Sequence, residues 1–261
     1  AVDQFDEVTF NIPAIDDEGD SLTYTITGTP ASDGTASFAI NIGGQTCTLT
    51  RTVNPPFTCG TDDVTWTYNG GSVTYGTVLS STGECWMDRN LGASQVATSS
   101  NDANSYGDLF QWGRGDDGHQ DRSSSTTSTN ADSPGHGNFI TEGSSPYDWR
   151  STQDDNLWNG ESATNNPCPS GWRLPTETEW ADELTSESIT GDATAYSSVL
   201  KLPEAGYRFF STANLTNVGI RGYYWSSTVS GNNGRYLYYG PGFASLSIGF
   251  RAHGASVRCL K

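Results

Sequence analysis

The stretch Cys168-Pro169-Ser170-Gly171-Trp172-Arg173-Leu174-Pro175-Thr176-Glu177-Thr178-Glu179-Trp180 marks where the chain turns from loop into helix. Thr176 and Glu179 stand at capping-box spacing behind Pro175, which predicts a helix starting there. Trp180 and Leu184, four residues apart, give it one apolar face. A shorter amphipathic helix is expected over 106–112, with Tyr106, Leu109 and Phe110 on one side. Between the two, residues 115–167 form one long polar stretch containing Ser123-Ser124-Ser125, Pro134, Pro146 and Pro167. So long a loop in a compact domain is either functional or pinned by its aromatic residues, here Phe139, Tyr147, Trp149 and Trp158.

Outward from this centre the pattern is one of strands. Val64-Thr65-Trp66-Thr67-Tyr68 and residues 72–78 flank Asn69-Gly70-Gly71, a hairpin signal because Asn-Gly readily adopts positive φ. After Lys201, strands are expected at 207–210, 223–227, 235–239 and 255–259. Residues 5–53 alternate apolar and polar in short runs centred on 8–12, 22–26, 36–40 and 47–50, the pattern of a small β-sandwich. Asn54-Pro55-Pro56 cannot continue a strand, since a proline donates no ladder hydrogen bond. The domain boundary falls there: a small all-β, Ig-like spacer over 1–56 and an α+β domain over 57–261.

Composition narrows the function classes. Only 16% of the 261 residues are charged, and 30 are glycine, which suits short strands and long loops. A net charge of -17 repels phosphate backbones and anionic lipid, so nucleic acid and membrane-surface partners are disfavoured. No apolar run is long enough to insert in a membrane, and the opening Ala1-Val2-Asp3-Gln4 lacks the pattern of a signal peptide. The five cysteines, Cys47, Cys59, Cys85, Cys168 and Cys259, never form CxxC and fit an oxidising compartment. Their odd number leaves at least one outside any intrachain pair.

Four blocks in order carry a family resemblance: residues 84–93 (ECWMDRNLGA), 106–114 (YGDLFQWGR), 168–176 (CPSGWRLPT), and the tail from Gly222-Tyr223-Tyr224-Trp225-Ser226-Ser227 to Ser256-Val257-Arg258-Cys259-Leu260. Over roughly residues 60–261 the chain resembles the bacterial major paralogous domain family, and is similar to the variable proteins of diversity-generating retroelements. The resemblance implies a C-type-lectin-like fold and ligand binding by a surface that is diversified at adenine-rich codons. It also implies a disulfide between Cys168 and Cys259; in a chain-entropy treatment a closed loop of that size contributes about 4 to 5 kcal/mol. Cys59 is then free to pair with Cys85 across the opening hairpin, or with Cys47 across the Pro-Pro linker.

The candidate diversified segment is 221–255. Its residues of suitable type are Asn232, Asn233, Tyr236, Tyr239, Gly240, Gly242, Phe243, Ser245, Ser247, Gly249, Phe250 and His253, joined by Arg221 and Tyr223 as candidate ligand contacts. Tyrosine and phenylalanine supply rigid contact area, and serine, glycine and asparagine supply adaptable hydrogen bonds. Tyr223, Tyr239 and Phe243 are the expected anchors, whereas Trp225 and Leu237 are expected to pack inward. The expected ligand is a protein or glycan on a cell or virus surface, and the chain is expected to be secreted or displayed on a cell envelope or virion.

Two other readings compete. A fixed-sequence glycan-binding module would use aromatic stacking and a calcium ion, yet the sugar-binding Glu-Pro-Asn and Trp-Asn-Asp motifs are missing; Trp158-Asn159-Gly160 lacks the Asp. A lectin-fold oxidase related to formylglycine-generating enzymes needs two reactive thiols in the C-terminal half. His119, His136 and His253 show no metal-ligand or triad spacing, so no catalytic residues are assigned. No cofactor is required; calcium could be held by Asp16, Asp17 and Asp20, or by the cluster from Asp116 to Asp121.

Overall fold

A computed structural model describes residues 2–3, 8–15, 21–28, 32–42 and 45–261. The chain divides into two compact units, 1–58 and 59–261, two residues beyond the boundary expected at Pro56. In the first unit, β1 (Val2–Asp3), β5 (Gln45–Asn54) and β4 (Gly34–Ile42) form one sheet, and β2 (Val8–Ile15) pairs with β3 (Ser21–Gly28). Each alternating run in the sequence lies within one of these strands, and β5 ends at the residue before Pro55. Asp16, Asp17 and Asp20 lie outside the described residues.

The second unit opens with β6 (Val64–Tyr68) and β7 (Gly71–Tyr75), then β8 (Thr77–Leu79) and β9 (Cys85–Met87). The β6–β7 loop is two residues rather than three: Gly71 pairs with Tyr68, and Asn69 and Gly70 both take left-handed φ, as a type I′ turn requires. Further along come β10 (Phe110–Gln111), β11 (Thr126–Thr127), β12 (Phe139–Ile140), α1 (Glu177–Ser186), α2 (Asp192–Ser197), β13 (Tyr207–Arg208) and β14 (Leu215–Thr216). The unit ends with β15 (Gly222–Ser230), β16 (Asn233–Gly240), β17 (Phe243–Phe250) and β18 (Gly254–Ala255). Across the described residues the architecture is α+β: small, mostly antiparallel sheets with two helices.

The two ends of this unit are tied together. The Met87 amide donates to the Cys259 carbonyl at 3.0 Å and the Lys261 amide to the Cys85 carbonyl at 2.9 Å. Disulfides join Cys59 to Cys85 and Cys168 to Cys259, so Cys59 is not available to Cys47. Helix α1 begins as its cap dictates: Thr176 Oγ1 accepts from the Glu179 amide at 3.2 Å, and the Thr176 amide donates to Glu179 Oε2 at 2.7 Å. Trp180 is fully buried against Trp86, and its Nε1 donates to the Trp225 carbonyl.

The expected helix over 106–112 does not form. Its amides find distant acceptors instead of carbonyls four residues back: Asp108 donates to Leu91 O, Leu109 to Gln120 O, Gln111 to His119 Nε2 and Trp112 to Arg251 O. Leu109, Phe110 and Trp112 are all completely buried, so the segment threads the core rather than lying on it. Only the short 3-10 turn Ala103–Ser105 precedes it.

The stretch 115–167 holds a single two-residue ladder, β11 with β12, and is otherwise irregular. Phe139, Trp149 and Trp158 pin it by full burial. Arginine side chains do the rest, because a guanidinium fork can serve several carbonyls at once. Arg114 donates to His136 O and Asn138 O, Arg208 to Asp121 O and Ser124 O, Arg150 to Asp132 O, and Arg251 to Asp154 O. The few cations of this acidic chain therefore replace the missing backbone ladder.

Candidate ligand-binding cleft

Strands β15, β16 and β17 form one antiparallel sheet whose register sorts side chains by parity. Tyr223 faces Tyr238, Trp225 faces Tyr236, and Tyr236 and Tyr238 face Ser247 and Ser245 across β17. Cross-strand partners share a face. The alternate residues, Tyr224, Leu237 and Tyr239, are fully buried with Trp180 of α1 on the other face.

The first face borders a cleft of about 420 Å³, in the lower part of the roughly 300–1,000 Å³ range of small-ligand sites. Tyr223, Trp225, Tyr236 and Tyr238 line it from the sheet, and Tyr207, Phe209 and Phe210 line it from β13 and the turn that follows. Ala255, Phe250 and His253 complete the lining, the last two with rings nearly parallel at 5.7 Å. Most other ring pairs meet edge to face or tilted, including Tyr207 with His253 at 77° and Phe210 with Phe250 at 77°. This is the preferred geometry of aromatic contacts, and it holds the walls as a preassembled box.

The cleft lining carries no charge at neutral pH. Burial pushes His253 down to about 4, against the opposing hydrogen bond to the Arg208 backbone, and pushes Tyr223 up to about 12. Beside the lining stands Arg221, whose Nη1 donates to Tyr238 Oη at 2.7 Å while its guanidinium lies 5.7 Å from the Tyr238 and Phe243 ring centres. Two buried polar atoms here have no hydrogen-bond partner: His253 Nδ1 and Arg221 Nε.

The sequence-assigned residues divide accordingly. Tyr223, Tyr236, Phe250 and His253 line the cleft; Ser245 and Ser247 lie beside it, and Phe243 packs on Tyr238 at 4.8 Å. Tyr239 is corrected to the core: it is one residue out of phase, and its hydroxyl donates to the Pro203 carbonyl at 2.8 Å. Asn232 is exposed in the turn beyond β15, and Asn233 is half-buried at the start of β16. Gly240 is buried against Arg221 and Phe243, while Gly242 takes the left-handed φ that a Pro241-Gly242 turn needs. At Gly249 a Cβ would stand 2.5 Å from the Tyr236 ring and 3.1 Å from Trp225, so this glycine makes room for the cleft wall. Trp225 and Leu237 are fully buried.

Sequence reasoning missed Tyr238, Tyr207, Phe209 and Phe210, and it left β17 as loop. The signal for Tyr238 was its place two residues after Tyr236. That for β17 was the alternation Phe243-Ala244-Ser245-Leu246-Ser247-Ile248, in which serine takes one face and aliphatic residues the other.

Elsewhere, the second acidic cluster is internally engaged: Asp117 accepts from Arg114 Nε and His119 Nδ1, and Asp121 from Ser123. Among the described residues no group of three or more His, Cys, Asp or Glu could hold a metal ion, and no helix is long and apolar enough to cross a membrane. No family model, curated protein or solved structure matches the chain.

Proposed function

We propose that this chain is a secreted or surface-displayed ligand-binding protein whose second unit is C-type-lectin-like and presents a sequence-diversified surface, as in the variable proteins of diversity-generating retroelements it resembles. The ligand is a protein or glycan on a cell or virus surface, held without covalent chemistry in the aromatic cleft. The observation that carries this reading is the parity of the C-terminal sheet. Tyr236, Ser245 and Ser247, chosen from sequence as diversifiable types, share the cleft face, while the helix-facing positions are large and buried. Such a sheet tolerates change on one face without disturbing the core on the other.

Two cysteine-bonded pairs and an acidic, loop-rich chain suit an oxidising, extracellular setting. The oxidase alternative needs two thiols in the C-terminal half, and Cys168 and Cys259 are bonded to each other. A fixed-sequence glycan-binding module remains the second reading, favoured by the stacked tyrosines.

Sequencing the 3′ end of the gene across a population of its source tests the proposal. Substitutions should concentrate at 236, 238, 243, 245 and 247 and spare 225, 237, 239, 257 and 259. A segment as invariant as the rest of the gene overturns diversification and leaves the fixed module.

A further inference from the structure

Arg221 differs from the other arginines of the second unit. Arg235 pairs with a carboxylate, and Arg122, Arg208 and Arg258 donate to backbone carbonyls; Arg89, Arg114, Arg150, Arg173 and Arg251 do both. Among the described residues of that unit, Arg221 alone has only tyrosine hydroxyls, those of Tyr238 and Tyr223, as hydrogen-bond acceptors, and its Nε is buried with no partner. In a chain with 30 acidic residues, a guanidinium left without a carboxylate beside an aromatic cleft is a ready anion fork.

The shape and chemistry of the cleft limit what carries that anion. Tyr207, Tyr223, Tyr236 and Tyr238 present ring faces next to hydroxyls, and His253 adds one unpartnered nitrogen. A pyranose matches this pairing, with an apolar C–H face for a ring and hydroxyl groups at its edge for hydrogen bonds. An extended peptide matches the cleft face less well, because the paired residues of β16 exchange their ladder bonds with β15 and β17 and so offer a ligand side chains there. The net charge of -17 repels polyanions, which restricts the ligand to one isolated negative group.

We propose that the cleft binds a terminal acidic sugar, with its pyranose face on the tyrosine rings and its carboxylate on Arg221. The inference rests on reading the cleft as the ligand site, and adds the class of ligand and the residue that selects it.

Calorimetry of the whole protein with methyl glucuronoside and methyl glucoside, which differ only in a carboxylate at C6, provides the test. The glucuronoside should bind roughly tenfold or more tightly, and this preference should weaken as NaCl approaches about 1 M. Arg221→Gln should abolish the preference and bring the two glycosides level; Arg221→Lys should restore part of it. Tyr236→Ala should weaken both glycosides alike. Equal binding of the two glycosides by the unaltered protein, still lost in Tyr236→Ala, overturns the acidic-sugar inference and leaves the cleft as a ligand site. Tighter binding of N-acetylphenylalanine than of the glucuronoside replaces the sugar with a carboxylate-bearing peptide terminus. Binding of neither glycoside overturns the inference, and glycoside binding untouched by Tyr236→Ala overturns the cleft itself.

Discussion

Tyr238 and Tyr239 are neighbours of one residue type on one strand, yet they belong to different parts of the molecule. Tyr238 lines the cleft among Tyr223, Tyr236 and Phe243, while Tyr239 lies wholly buried near Tyr224, with its hydroxyl on the Pro203 carbonyl. The difference is strand parity: successive side chains point to opposite faces, and α1 covers only one of them. Residue type alone therefore says little about whether an aromatic side chain serves stability or recognition. The face it occupies decides.

The largest test of this contrast is Tyr239→Ala, which should cost about 3–5 kcal/mol in urea or thermal unfolding, as for other buried aromatic truncations. A cost below about 1 kcal/mol would mean that the two faces are not distinct. Gly249→Ala should come next, at about 1–3 kcal/mol, because the added methyl must displace the Tyr236 ring, 2.5 Å away, or Trp225 behind it. Unaltered stability would show that the wall is loosely packed. Tyr238→Ala should cost less than about 1 kcal/mol, since the lost ring borders open space and its hydroxyl only meets Arg221. A loss as large as that of Tyr239→Ala would return Tyr238 to the core.

A separate test varies pH rather than sequence. His253 titrates near 4 in the folded protein and His119, wholly buried, does so as well, both below the unfolded value of 6.5. The unfolded chain therefore binds protons first as pH falls, so stability should decline from about pH 6.5 towards 4 and be flat, as far as these histidines contribute, above that window. Glycoside binding in the cleft should stay constant between about pH 5.5 and 8, because His253 remains neutral there. A binding curve with a midpoint near 6.5 would show that His253 is solvated and outside the wall.

Local signals proved legible where the structure satisfies them locally. The Thr176–Glu179 box, the Asn69-Gly70 turn and the break at Pro55-Pro56 each need only a few neighbouring residues, and each appears in the fold. The resemblance pointed to Cys168 with Cys259, and these two are bonded. The segment 106–112 misled because its apolar spacing suits a helix while its amides bond to Leu91, Gln120, His119 and Arg251, partners that no local pattern reveals. Helix α2 gave little signal, being only six residues long.

The site was half legible for the same reason. The sequence alone determined that residues 221–255 would be rich in aromatic and small polar side chains, and that alternation would place Tyr236 and Tyr238 together. Only the tertiary structure decided that this face would meet Tyr207, Phe209 and Phe210 across a cleft, and that Arg221 would stand beside it without a carboxylate. Alternation is a property of the backbone and is readable along the chain. Enclosure and charge pairing depend on segments brought together from far apart, through cores, bridges and arginine forks whose partners are fixed only when the chain has folded.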